Sequence, residues 1–98
     1  MEKSTPHCRL SVIKAMTEAG KVRTTFSALA GAQMLGFDLH GMVDVVMALK
    51  PSDFYKSMTT LADHRVWQDV YRPNTSAGYV YLKLTVIDDV LIVSFKEL

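Results

Sequence analysis

The stretch of residues 78–98 has the most regular pattern in the chain, because apolar side chains alternate there with polar or aromatic ones. A period of two with many β-branched residues is typical of a half-buried antiparallel hairpin. If Asp88-Asp89 forms the turn, one face of this hairpin is purely apolar. Its members are Val80, Leu82, Leu84, Val86, Leu91, Val93 and Phe95. The rest of the chain must therefore cover that face.

The opposite face of the predicted hairpin combines lysines with tyrosines. It contains Tyr79, Tyr81, Lys83, Thr85, Ile87, Val90, Ile92, Ser94 and Lys96. In this register Tyr81 is directly across from Lys96, at a Cβ separation of about 5 Å, and Lys83 is across from Ser94. An Asp-Asp pair is a weak turn signal, and a three-residue loop would break these pairings. With the register as predicted, this face is the first candidate for a functional surface.

Length and composition predict a single domain over residues 1–98 with an ordinary globular core. Hydrophobic residues make up 49% of the chain and charged residues 21%. A formal net charge of +1 neither requires nor excludes a polyanionic partner. The single cysteine, Cys8, fits a reducing compartment. Since no apolar run approaches the length of a membrane span, we expect a cytoplasmic protein.

Three helices are predicted before Pro51. Thr5-Pro6 is a cap and first turn for the first helix, which Gly20 closes. The second helix extends over about residues 25–35 and ends at Gly36, and Asp38 caps the third. Their apolar stripes are Val12, Ile13, Met16 and Ala19, then Phe26, Leu29, Ala30 and Met34, then Met42, Val45, Val46 and Leu49.

Residues 54–60 and 66–72 are rich in strand-forming side chains, and residues 73–78 form a loop of turn residues that leads into the hairpin. Helices followed by a meander of about four strands predict an α+β fold. In this fold the N-terminal helices pack on one face of a C-terminal antiparallel sheet.

The second half of the chain also contains the candidate functional side chains. They are Tyr55, Lys56, Gln68, Arg72, Tyr79, Tyr81, Lys83 and Lys96. Cations beside aromatic rings bind single-stranded RNA through phosphate attraction and base stacking. Lysine, arginine and tyrosine can also catalyse transesterification without a metal, by proton transfer and charge stabilisation. The alternative is that these residues only cover the solvated face of a sheet. The sequence has no metal-ligand spacing of Cys and His and no phosphate-binding glycine loop.

Three stretches closely resemble the motility quorum-sensing regulator toxins of bacterial toxin–antitoxin systems. They are SDFYKSMTT (52–60), DHRVWQDVYRP (63–73) and GYVYLKLTVIDDVLIVSFKEL (78–98). The start of the chain is also similar, and the resemblance is looser over residues 27–50. It covers nearly the whole chain.

The resemblance implies an mRNA interferase with a fold like that of the ribosome-dependent RelE toxins. Such an enzyme cuts single-stranded mRNA at GCU-type triplets, with no metal cofactor, through attack of the ribose 2′-hydroxyl on the adjacent phosphate. The resemblance also implies a cognate zinc-binding antitoxin with a helix-turn-helix half, and a toxin that is monomeric alone. The competing hypothesis is a non-catalytic RNA-binding or protein-binding regulatory module.

The family's catalytic lysine, glutamine and tyrosine correspond to Lys56, Gln68 and Tyr81. The residue pattern alone points to Tyr81 and Lys56 but not to Gln68, which shares an alternating face with Val66 and Val70. We expect a further set of side chains to hold the RNA, namely Tyr55, Met58, Arg72, Lys83 and Lys96.

Overall fold

The computed structural model describes all 98 residues and has the predicted α+β architecture. The helices are α1 (Leu10–Glu18), α2 (Phe26–Met34) and α3 (Leu39–Met47). The strands are β1 (Glu2–Lys3), β2 (Val22–Thr24), β3 (Phe54–Thr59), β4 (Trp67–Tyr71), β5 (Asn74–Thr75), β6 (Gly78–Val86) and β7 (Val90–Glu97), and a 3-10 turn (Pro51–Asp53) precedes β3. None of the helices is long and apolar enough to cross a membrane.

The sheet has the strand order β1-β3-β4-β6-β7-β2, and β5 pairs with β6 outside this path. It is mixed rather than antiparallel as predicted, because β2 pairs with β7 in parallel. This parallel pairing provides hydrogen-bond partners for the backbone of the segment after α1. The N–H of Val90 donates to the carbonyl of Lys21 at 2.9 Å, and the N–H of Thr25 donates to the carbonyl of Ile92 at 3.0 Å.

The first helix begins at Leu10, so the prediction that Thr5-Pro6 starts it was wrong. The cause is the buried carboxylate of Asp69, which accepts the backbone N–H groups of His7 and Cys8, each at 3.0 Å. These two residues are thereby held against the sheet instead of entering the helix.

The other predicted helix boundaries are confirmed. Thr25 caps α2 by accepting the N–H of Ala28, and Asp38 caps α3 by accepting the N–H of Gly41 at 2.8 Å. Gly36 ends α2 with a φ of 86°, in the left-handed region that glycine adopts without strain.

The apolar stripe of α3 is confirmed. The predicted stripe of α2 was wrong for Phe26 and Met34, whereas Leu29 packs against the core as predicted. Phe26 and Met34 are 87% and 88% exposed, and Ala28 and Ala32 face the core instead. The reason is a close approach of α2 to β7, since a Cβ at Gly31 would lie 2.2 Å from the carbonyl oxygen of Phe95. Only small residues fit at that contact, so the large ones point outward. Val12 of α1 was also expected in a stripe and is exposed.

The β6–β7 hairpin has the predicted pairings at its open end, where Tyr81 is across from Lys96 and Lys83 is across from Ser94. The predicted two-residue turn was wrong. Val86 pairs with Val90, so that residues 87–89 form a three-residue loop.

A β-bulge at Val93 restores the register beyond this loop. Between the loop and the bulge the two faces of β7 are reversed relative to the prediction, while β6 keeps its predicted faces. Val90 and Ile92 are buried in the core, and Leu91 pairs with Thr85 on the other side of the sheet.

The three helices and one face of the sheet enclose a single core. Its 13 buried residues are Ile13, Ala28, Ala32, Met42, Val46, Leu49, Tyr71, Val80, Leu82, Leu84, Val90, Ile92 and Phe95. The helices thus cover the hairpin's apolar face, as predicted. Phe95 contacts Phe37 edge-on, with ring centroids 5.3 Å apart.

Phe95→Ala should lower the free energy of unfolding by about 3–5 kcal/mol, because it removes a fully buried ring. Phe26→Ala is the matched control and should change it by less than about 0.5 kcal/mol, since Phe26 is exposed. Urea denaturation followed by circular dichroism measures both. Equal losses in the two variants would contradict the packing of α2 on the sheet.

Candidate active site

The sheet face opposite to the helices carries a row of side chains that crosses four strands. Lys56 of β3 is across from Val70 of β4, and Val70 is across from Lys83 of β6. Lys83 is in turn across from Ser94 of β7. Cross-strand partners point to the same side of a sheet, and Lys83 alternates with the buried Leu82 and Leu84. The row therefore faces away from the core.

We call this surface the open face. Its members are Tyr55, Lys56, Met58, Gln68, Val70, Arg72, Tyr79, Tyr81, Lys83, Thr85, Ser94 and Lys96. The structure thus brings together, on one surface, every residue that the sequence analysis named as catalytic or RNA-binding.

Lys56 and Tyr81 form the centre of the open face. Both are half-buried. The ammonium of Lys56 donates a hydrogen bond to the carboxylate of Glu2 in the edge strand β1. That hydrogen bond is the main reason why the pKa of Lys56 lies above its usual value. Partial burial opposes this rise in pKa, while the Glu2 charge, Tyr55 and Tyr81 add to it. Lys56 is therefore a charged donor at neutral pH.

The ring of Tyr55 contacts two cations at one side of this centre. The guanidinium carbon of Arg72 lies 3.8 Å from the centroid of the Tyr55 ring, which is a close cation–π contact. The Nζ atom of Lys56 lies 5.4 Å from the same centroid. A β-bulge at Tyr55, between the pairs of Phe54 and Lys56, presents the ring to both cations.

A second group of cations lies on the other side of Tyr81. The Nζ atom of Lys96 is 5.3 Å from the centroid of the Tyr81 ring. The pKa of Lys83 is lowered, first because the residue is partly buried and then because Lys96 repels its charge. Two like charges close together create a site that favours an anion.

The cations of the open face are largely unneutralised. Arg72, Lys83 and Lys96 take part in none of the four salt bridges, which join Arg23 to Asp89, His40 to Asp44, Lys56 to Glu2 and Arg65 to Asp63. A polyanion that crosses this face would meet several free positive charges beside exposed aromatic rings.

Gln68 lies farther from the centre than the other two residues of the predicted catalytic set. It is across from Met58, which lies two residues beyond Lys56 along β3. Its side chain forms no hydrogen bond to Lys56 or Tyr81, so its amide is available to a ligand. The structure therefore groups Lys56 with Tyr81 and adds Gln68 as a neighbour on the same face.

Glu2 belongs to this site although no sequence pattern indicates it. A two-residue strand has no period to recognise, and nothing near position 2 indicates a partner 54 residues away. The chain contains no group of three or more His, Cys, Asp and Glu side chains that could hold a metal ion.

Fold and site together define a small α+β protein whose sheet exposes a cationic and aromatic surface built to contact a polyanion. The family model described as "Motility quorum-sensing regulator, toxin of MqsA" matches residues 5–97. The mRNA interferase toxin MqsR of Escherichia coli (strain K12) is 64% identical over 97 residues, with 99% of each chain covered. The chain belongs to the motility quorum-sensing regulator toxin family, which confirms the resemblance seen in its sequence.

Replacing Lys96 with Ala should raise the pKa of Lys83, because it removes the like charge that disfavours the protonated form. The pKa should stay below the ordinary lysine value, since burial is the larger cause of the shift. Side-chain NMR titration of Lys83 measures this. Lys14→Ala, a charge deletion in α1, is the control and should leave Lys83 unchanged. An unmoved Lys83 titration in Lys96→Ala would contradict the hairpin geometry at the open face.

Proposed function

We propose that this chain is an mRNA interferase toxin that cleaves single-stranded mRNA on its open face. Family membership and the activity named for the Escherichia coli relative support this proposal. The observation that carries it is the juxtaposition of Lys56 with Tyr81, between cations that have no acidic partner.

RNA binding would use the edges of the open face. Arg72, Lys83 and Lys96 would attract the phosphates, a contribution that weakens as salt rises. The ring of Tyr55, which is 45% exposed, and the side chain of Met58 would contact bases. Stacking on an aromatic ring stabilises binding by about 1–3 kcal/mol per base and requires unpaired bases, which favours single strands.

The reaction would be a transesterification within the RNA. The ribose 2′-oxygen attacks the adjacent phosphorus and forms a new P–O bond, while the bond from phosphorus to the 5′-oxygen breaks. The products are a 2′,3′-cyclic phosphate and a 5′-hydroxyl. One proton leaves the 2′-hydroxyl and one is gained by the departing 5′-oxygen.

Each member of the catalytic set has a role that suits its surroundings. Lys56, whose ammonium is hydrogen-bonded to Glu2, would stabilise negative charge on the phosphorane and give its proton to the 5′-oxygen. The Tyr81 hydroxyl would pass the proton of the 2′-hydroxyl to solvent. The Gln68 amide would donate to a non-bridging phosphate oxygen.

We propose cleavage at GCU-type triplets, which arrests translation, and neutralisation by a cognate zinc-binding antitoxin with a helix-turn-helix half. The resemblance seen in the sequence supports this proposal, and the family description, "toxin of MqsA", pairs the toxin with a second protein. We propose that the toxin alone, residues 1–98, is a monomeric single domain.

Cleavage should persist in EDTA, because lysine and tyrosine side chains supply the charge stabilisation that a metal would otherwise provide. The assay uses a single-stranded RNA with one GCU triplet and a control RNA in which that triplet is scrambled. Mass spectrometry of the upstream product should detect the cyclic phosphate. Activity that EDTA abolishes and a divalent ion restores would contradict this mechanism. RNA that binds but is never cut would favour the non-catalytic binding module.

Lys56→Ala and Tyr81→Phe should each lower the cleavage rate by about 10²-fold or more, the range for a lost proton-transfer or charge-stabilising group. Single-turnover kinetics with excess enzyme measure the rate. Lys14→Ala is the charge-matched control and should cleave like the wild type. Unaltered circular dichroism spectra would show that the variants are folded, and a folded variant with full activity would refute that residue's role.

A further inference from the structure

Glu2 reaches the open face from the edge of the sheet. Strand β1 pairs with β3 so that Glu2 is across from Met58 and Lys3 is across from Ser57. Met58 lies on the open face and Ser57 is buried on the other side. Glu2 therefore points toward Lys56, and its carboxylate accepts a hydrogen bond from the Lys56 ammonium. It is the only carboxylate that forms a salt bridge with a cation of the open face.

Backbone contacts fix the strand that presents Glu2. On one side of it, the N–H of Thr59 donates to the carbonyl of Met1 at 3.0 Å, and the N-terminal ammonium donates to the Thr59 hydroxyl at 3.0 Å. On the other side, buried Asp69 accepts the N–H groups of His7 and Cys8. The chain is thus tied to the sheet both before and after Glu2.

Side chains add a further anchor between these two points. The Nζ atom of Lys3 lies 4.1 Å from the centroid of the Trp67 ring, and the ring of His7 stacks on the same tryptophan. An ordinary exposed ion pair has two mobile partners and contributes little. Here the carboxylate is carried by an anchored strand, so the backbone of Glu2 has a fixed position beside Lys56.

A lysine side chain has four rotatable bonds, and an unpaired Lys56 would sample many positions above the sheet. We propose that Glu2 is the positioning residue of Lys56, holding its ammonium oriented at the centre of the open face. This role rests on the proposed function, because it matters to activity only if Lys56 acts on a phosphate. When RNA binds, the phosphorane would meet an ammonium that is already in place.

Several other titratable or charged groups lie near Lys56. Tyr55 on β3 and Tyr81 on β6 add to the rise in its pKa. The neighbouring cations are the N-terminal ammonium beside β1, Arg72 after β4 and Lys83 on β6. None of these is altered when Glu2 is changed to Gln, which keeps the side chain's size and removes only its charge.

The test uses the full chain with Glu2→Gln and, as the control, Asp89→Asn. The control removes a carboxylate from the exposed Arg23–Asp89 pair, which joins β2 to the hairpin loop away from Lys56. In Glu2→Gln the pKa of Lys56, followed by side-chain NMR in the RNA-free protein, should fall because the acceptor of its hydrogen bond loses its negative charge. In Asp89→Asn it should not move.

Kinetics supply the second measurement. For the single-GCU RNA, Glu2→Gln should lower kcat by about 10-fold to 100-fold, the cost of a misplaced catalytic group, with little change in KM. Glu2→Asp should restore part of kcat because it restores the charge. Asp89→Asn should match the wild type.

Two results would overturn the proposal. One is an unchanged Lys56 titration in Glu2→Gln. The other is tighter RNA binding by Glu2→Gln with undiminished kcat, which would make Glu2 a competitor of the phosphate rather than a positioning residue. If the wild type cuts no RNA, the proposed function fails by itself. The NMR titration then still decides whether Glu2 holds Lys56.

Discussion

The β6–β7 hairpin has to bury one face under the helices while it presents Tyr81 and Lys96 on the other. Its three-residue loop shifts the strand pairing by one position, which alone would turn Lys96 toward the core side. The extra residue in the bulge at Val93 cancels that shift. The apolar residues near the loop can therefore enter the core, and the polar end of the hairpin keeps its pairing. Both the core and the open face depend on this irregularity.

Charge is distributed so that the open face is positive although the whole chain carries only +1. Acidic residues neutralise cations elsewhere, as in the Arg23–Asp89 and Arg65–Asp63 pairs. Arg72, Lys83 and Lys96 have no such partner, and Lys56 has one that is supplied by an anchored strand. A weakly basic chain can thus form a surface suited to a polyanion. Its attraction should weaken as salt screens the exposed charges.

The sequence predicted those parts of the site that depend on local periodicity. Alternation in residues 78–98 indicated that Tyr81 and Lys96 share a face, and this is confirmed. It could not show that α2 would approach the sheet through small residues, which leaves Phe26 exposed. Likewise, the parallel pairing of β2 and the contact of Glu2 with Lys56 join segments distant in sequence, for which no local pattern exists. Gln68 was assigned a catalytic role only through the family resemblance.

The proposed function requires RNA to be bound and cut on the open face. NMR mapping with a single-stranded GCU oligonucleotide tests it most directly, if the ribose at the cleavage position is 2′-deoxy so that no cleavage occurs. The signals of Lys56, Tyr81 and Lys83 should shift on binding, while those of Ala15 and Glu18 in α1 should stay unchanged. Shifts confined to the exposed side of α2 around Phe26 and Met34, with the open face unaffected, would contradict it.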